Sequence, residues 1–178
     1  GIPLLSSERS EDDPIVIGGG PCAYNAEPMA DFFDVFSIGE GEEALCDFTR
    51  LYIEMKKSGS YSKKAFLHEA AKLKGFYVPS LYEVSYNDDG TVKEFKPVYD
   101  DIPKKIEKRI IEDLDKSRFL DVPIMPFIEV VHDRIMLEVY RGCIRGCRFC
   151  QAGVICRPVR EKTPDVLNRQ AKCLFENT

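Results

Sequence analysis

Histidine is nearly absent from this chain: it has two, His68 and His132, and neither lies within the cysteine-rich stretch that follows residue 142. That excludes a Cys2His2 zinc finger, whose ligands come as closely spaced pairs of both types. An excess of positive charge is missing too. The 25 Lys+Arg and 30 Asp+Glu give a formal net charge of −5, so no global basic field draws in nucleic acid or an anionic membrane. No apolar run approaches the roughly 20 residues needed to span a bilayer. No segment joins a basic start, an apolar stretch and a small-residue cleavage site as a signal peptide does. Internal repeats and low-complexity tracts are lacking, and so is the dense, even cysteine spacing of a secreted disulfide scaffold. Of seven cysteines, Cys22, Cys46, Cys156 and Cys173 are scattered, while Cys143, Cys147 and Cys150 are packed together. The expectation is a reducing, cytoplasmic setting with thiols kept for a metal.

What is present is 178 residues, 44% of them hydrophobic, enough for one good core or a little more. The chain begins Gly1-Ile2-Pro3 and stops just after a helix-like segment, so it is expected to be an internal piece of a longer protein. Ile15-Val16-Ile17, bounded by Pro14 and Gly18, and Val35-Phe36-Ser37-Ile38, stopped by Gly39, read as strands. Glu27 to Phe33 between them is helix-compatible, and a strand–helix–strand rhythm predicts parallel pairing. Helical spacing predicts helices over 42–57, 63–74 and 163–177, the last opened by Thr163 and Pro164. Alternating residues on either side of Asn87-Asp88-Asp89-Gly90 predict a hairpin over 82–98. Ile102, Ile106, Ile110 and Leu114 recur every four and favour helix, while Ile110-Ile111 would suit a strand. Residues 121–127, with two prolines, read as an extended linker. Strands are expected at 128–131 and 135–140 around a turn at His132-Asp133-Arg134.

The spacing Cys143-x3-Cys147-x2-Cys150 follows the strand-like Leu137-Glu138-Val139. Three thiolates fall short of the four ligands that close a structural zinc site, but they can hold three irons of a 4Fe–4S cube and leave the fourth open. Gly142 and Gly146 would free the backbone for the three side chains to converge. Cys156, six residues after Cys150, is the alternative fourth ligand. It would close the site into a four-Cys electron-transfer or zinc module. A third reading is a structural fragment with free thiols. Arg141, Arg145, Arg148, Arg157 and Arg160 make the region locally basic, suited to a carboxylate or phosphate or to ordinary surface pairing.

With the aromatic Phe149 just before the third cysteine, in "CRFC", this motif resembles the signature of the radical S-adenosylmethionine (radical SAM) superfamily. The resemblance implies that Cys143, Cys147 and Cys150 ligate a 4Fe–4S cluster and that the methionine part of SAM chelates the open iron. It also implies that Phe149 lies near the adenine of SAM. "PIVIGGGPCAYNAEP" (14–28) and "DVFSIGEGEE" (34–43) resemble the second half of a cobalamin-binding-type Rossmann domain. That likeness would set Gly18, Gly19 and Gly20 along the nucleotide side of a corrin pocket, flanked by Gly39 and Glu40. The DxHxxG motif that supplies the lower axial histidine is absent. Together the two stretches resemble an uncharacterised family of cobalamin-domain radical SAM Fe–S oxidoreductases.

The implied fold is α/β, in three parts. Residues 1–58 would be the C-terminal part of a Rossmann-like, cobalamin-binding-type domain. Residues 59–124 would be a linker with helix and β-hairpin, and 125–178 the first βα unit of a radical SAM (β/α) barrel. A whole barrel takes ~200 residues, so the piece alone is expected to be catalytically inert and, with an open strand edge, to self-associate. The implied partners are a substrate that the sequence does not identify and an electron donor such as flavodoxin or ferredoxin. Neither a membrane nor nucleic acid is indicated.

Overall fold

The computed structural model describes residues 1–120, 122, 124, 127, 128 and 135–177. The expected turn at His132-Asp133-Arg134, most of the linker at 121–127 and the strand at 128–131, apart from Ile128, lie outside them. The chain divides into two compact units, Gly1–Ile110 and Ile111–Thr178. Three small sheets and several helices among the described residues make the fold α/β.

In the first unit β1 (Ile17–Gly18) and β2 (Val35–Ser37) pair in parallel, Ile17 opposite Val35 and Gly18 opposite Phe36. The expected strand–helix–strand rhythm is therefore present, but the connection differs. Two 3-10 helices, Pro21–Asn25 and Glu27–Phe32, replace the α-helix. Pro28 falls in the first turn of the second of these, where proline is tolerated, but it would break a single helix running from Pro21 to Phe32. α1 (Gly41–Ser58) and α2 (Lys63–Ala70) follow. Ser62 caps α2, its hydroxyl accepting from the Ala65 N–H at 3.1 Å. β3 (Phe76–Tyr77) then joins the other side of β2 antiparallel, Phe36 opposite Tyr77, so the sheet is mixed rather than wholly parallel. The hairpin β4 (Tyr82–Tyr86) and β5 (Val92–Pro97) forms as expected, with Gly90 at φ 81° in its turn.

Residues 102–110 are extended rather than helical. Arg109 lies alongside the end of β2: its N–H donates to Ile38 O and its carbonyl accepts from the Glu40 N–H, each at 2.9 Å. Two backbone hydrogen bonds to a distant strand end outweigh a four-residue apolar period. The core gathers Val35, Phe36, Ala44, Phe76, Val78, Tyr82 and Ile102. Phe48 of α1 packs on Phe66 and Phe76, with ring centroids 4.8 and 5.1 Å apart. The boundary expected at residue 58 thus falls inside one core, because α2, β3 and the hairpin bury their apolar faces against β2 and α1. Two buried cations anchor the N-terminal stretch. Arg9 pairs with Asp34 at 3.0 Å, and Lys63 Nζ donates to the Ser10 and Asp13 carbonyls at 3.1 Å each. Both charges are satisfied, as burial demands.

The second unit contains β6 (Tyr140–Arg141), α3 (Ala152–Ile155), β7 (Arg160–Glu161) and α4 (Pro164–Glu176). β6 and β7 pair antiparallel, Tyr140 opposite Glu161. The strand expected over 135–140 is confined to its last residue and Arg141. No parallel neighbour of β6, as a barrel would supply, is present among the described residues. α4 runs where expected, with Pro164 first. Thr163 makes no side-chain cap; its backbone N–H instead donates to Asp115 Oδ1 at 2.8 Å. Among the described residues no helix is long and apolar enough to cross a membrane.

Candidate metal centre

The three clustered cysteines lie on the loop that leaves β6 and enters α3. Gly142 starts it at φ 92°. A Cβ there would stand 2.7 Å from Pro158 O and 2.8 Å from Cys156 O, so only glycine lets the loop pack this tightly on residues 156–159. At the far end Gly153 is buried beneath the Arg145 carbonyl, 3.1 Å from where its Cβ would be. Gly146, expected to free the backbone, has an ordinary φ and open space around it. Gly142 is the hinge that matters. Between these points the Cys150 N–H donates to Cys147 O at 3.0 Å, closing a turn. The Arg145 N–H points at the Cys143 sulfur at 3.4 Å.

All seven cysteines are free; Cys147 and Cys156 are exposed, and Cys143 and Cys150 are half-buried. Among the described residues no group of three or more His, Cys, Asp or Glu converges as a single metal ion would require. A cube binds each thiolate at a different iron, so its ligands need not meet at one point. The donor set (three accessible thiols on one loop, without a histidine or carboxylate among them) suits iron–sulfur chemistry better than a lone zinc or a hard cation. Phe149 is 91% exposed, its ring free for a planar ligand.

A polar network adjoins the loop, with Lys162 and Gln170 buried and Glu138 exposed. Glu138 binds Arg141 at 2.7 Å and Lys162 at 3.6 Å, and Lys162 Nζ donates to Gln170 Oε1 of α4 at 3.2 Å. The Arg141 guanidinium, then Lys162, hold the Glu138 carboxyl below its usual range. Reading along the chain missed Lys162 and Gln170 and the pairing role of Glu138. The only signal was a lysine and a glutamine on the otherwise apolar side of a helix start. Of the five basic residues noted in the sequence, Arg141 joins this network, Arg160 donates to the Ile111 carbonyl, and Arg157 reaches Arg145 O at 3.5 Å.

The glycines assigned to a corrin pocket have other neighbours. Gly18 is buried, with the Phe36 ring 2.8 Å from where its Cβ would be. Gly39, at φ 111°, is occupied by the Arg109 backbone, and Glu40 donates its N–H to Arg109 O. Gly19 lies against Ser37, and only Gly20, at φ 87°, faces open space. Gly18 and Gly39 thus each have a packing reason to be glycine.

Comparison with known proteins bears on the same stretch. Residues 1–79 match the family model described as radical SAM proteins, N-terminal. The match covers β1 to β3 and ends before the cysteines. Over 160 residues the chain is 30% identical to an uncharacterized protein of Methanocaldococcus jannaschii, covering 89% of this chain and 28% of that protein. The chain thus spans less than a third of that relative's length. No solved structure matches. Over its first 79 residues the chain is similar to the N-terminal part of radical SAM proteins, and the matched description does not mention cobalamin.

Proposed function

We propose that this chain is the cluster-bearing part of a radical SAM enzyme, with Cys143, Cys147 and Cys150 as the ligands. The observation that carries the reading is the three-thiol loop between β6 and α3, in a chain whose opening matches radical SAM proteins. A 4Fe–4S cluster held there would supply an open iron for the methionine end of SAM and the electron that cleaves it to a 5′-deoxyadenosyl radical. The chain's own residues prepare the site. Gly142 and Gly153 lock the two ends of the loop, the Arg145 N–H orients the Cys143 sulfur, and Phe149 offers an exposed ring to adenine. A low-potential donor such as a flavodoxin or ferredoxin would deliver the electron.

A second reading takes Cys156 as a fourth ligand. It is favoured by the position of the Cys156 carbonyl against Gly142, one residue from Cys143. Such a site is closed and carries electrons or zinc without binding SAM. Anaerobic reconstitution with iron and sulfide, followed by EPR of the reduced protein with and without SAM, separates the two. The expected result is a cluster that survives Cys156→Ala, is lost in Cys150→Ala and changes its spectrum on adding SAM. A cluster lost in Cys156→Ala and insensitive to SAM would establish the second reading. Failure of the unsubstituted chain to assemble any cluster would leave only free thiols.

A further inference from the structure

A cavity of about 680 Å³ opens in the first unit, within the size range of small-molecule sites. One rim is formed by residues 23–27, which follow β1, and by Ile38, which follows β2. It therefore lies beyond the carboxyl ends of the two parallel strands, where open α/β sheets bind ligands. None of Gly18, Gly19, Gly20, Gly39 or Glu40 lines it.

Its walls are apolar and aromatic: Ile38, Tyr77, Phe95, Ile106 and Ile110. Phe95 and Tyr77 have ring centroids 6.0 Å apart and planes tilted by 49°, so a planar ligand can stack on one ring and meet the edge of the other. Three lysines stand around these walls, Lys74, Lys105 and Lys108. Lys74 reaches Glu107 at 3.9 Å. Lys105 makes no hydrogen bond or ion pair among the described residues, so its ammonium is available to an anion. Glu27 accepts the Tyr77 hydroxyl in the cavity wall. A carboxylate has lone pairs for further donors, so Glu27 can take an N–H from a ligand as well. Burial and this contact push the Tyr77 hydroxyl well above its usual range, which keeps it a donor.

The geometry points to a binding site for a planar aromatic ring that carries an amine, with an anionic tail: the chemistry of an adenine nucleotide. The ring lies against Tyr77 and Phe95, the amine donates to Glu27, and Lys105 meets the phosphate. The site is built entirely from residues before 111 and does not depend on the cluster reading.

The test is calorimetric titration of the chain with AMP. Saturable one-site binding is expected, weakened about tenfold by Lys105→Glu, the scale of one charge-assisted hydrogen bond. IMP, with a carbonyl in place of the amine, should bind the unsubstituted chain about tenfold more weakly than AMP. Lys64→Glu, on a surface away from this cavity, should leave AMP binding unchanged, and so should replacing Cys143, Cys147 and Cys150 by alanine. The proposal is overturned by absence of AMP binding, by indifference to Lys105→Glu, or by equal affinity for AMP and IMP. Loss of AMP binding in the cysteine variant would overturn it too, by moving the nucleotide to the loop. None of these results bears on whether the cysteines hold iron.

Discussion

Gly39 and Ser37 are two residues apart and make opposite demands on substitution. At φ 111° a side chain on Gly39 is strained, and its Cβ would collide with the Arg109 carbonyl oxygen. Gly39→Ala should therefore cost at least ~1–3 kcal/mol, read as a lower midpoint in urea. Ser37 is 6% exposed and its Oγ is buried without a hydrogen-bond partner. A buried hydroxyl left unmade is a cost in the native state, so Ser37→Ala should be neutral or stabilise by up to ~1 kcal/mol in the same assay. A clear loss of stability in Ser37→Ala would show that the hydroxyl has a partner after all. The cysteines were legible at this scale because soft-metal chemistry demands particular atoms at short spacing. Gly39 was legible as a residue that must be glycine, but not for its reason. The backbone that fills its missing side chain belongs to a residue far along the chain.

The first and last long helices were read well, whereas α2 ends at Ala70, four residues before its expected end at 74. α1 falls within one residue of its expected bounds at each end, because an acidic first turn, a basic last turn and Gly59 all mark the same ends. Not every apolar residue on it is buried: Leu45 remains 47% exposed. β3 carries no periodicity in two residues and was not legible, nor was the extended path of 102–110. At the junction of α2 with that path, His68 Nε2 and Lys72 Nζ each lie 2.9 Å from Asp101 Oδ2. Lys72 first, then His68, hold the Asp101 carboxyl at about 2, below the 3.8 of an unperturbed aspartate. A depressed carboxylate stabilises the fold above its unfolded value, and that contribution disappears as pH falls through the folded value. The contact should therefore weaken between about pH 4 and pH 2. Asp101→Asn should flatten the acid dependence of stability in that window, followed by circular dichroism. An identical acid slope in the variant would mean that other carboxylates dominate.

Over the whole molecule, apolar surface is unevenly spent. The first unit closes a core around β2, whereas the second leaves Met136, Ile144, Phe149 and Val154 exposed beside a two-residue strand. Exposed apolar side chains next to an open strand edge favour contact with another chain. Sedimentation velocity should show the average mass rising with protein concentration, and Phe149→Ser together with Ile144→Ser should reduce that rise. A constant monomer mass over the accessible range would refute it. By itself the sequence determined the first and last of its long helices, the hairpin and the parallel pairing of its first two strands. Each of these rests on residue types recurring over a few positions, which local geometry reads directly. Only the tertiary structure decided that β2 lies between a parallel and an antiparallel neighbour and that Arg109 fills the place of a side chain at Gly39. It alone showed that a lysine-rimmed cavity forms beside these strands. Those features join residues dozens of positions apart, and their pairing depends on which surfaces exclude water together, a property that no short window of sequence contains.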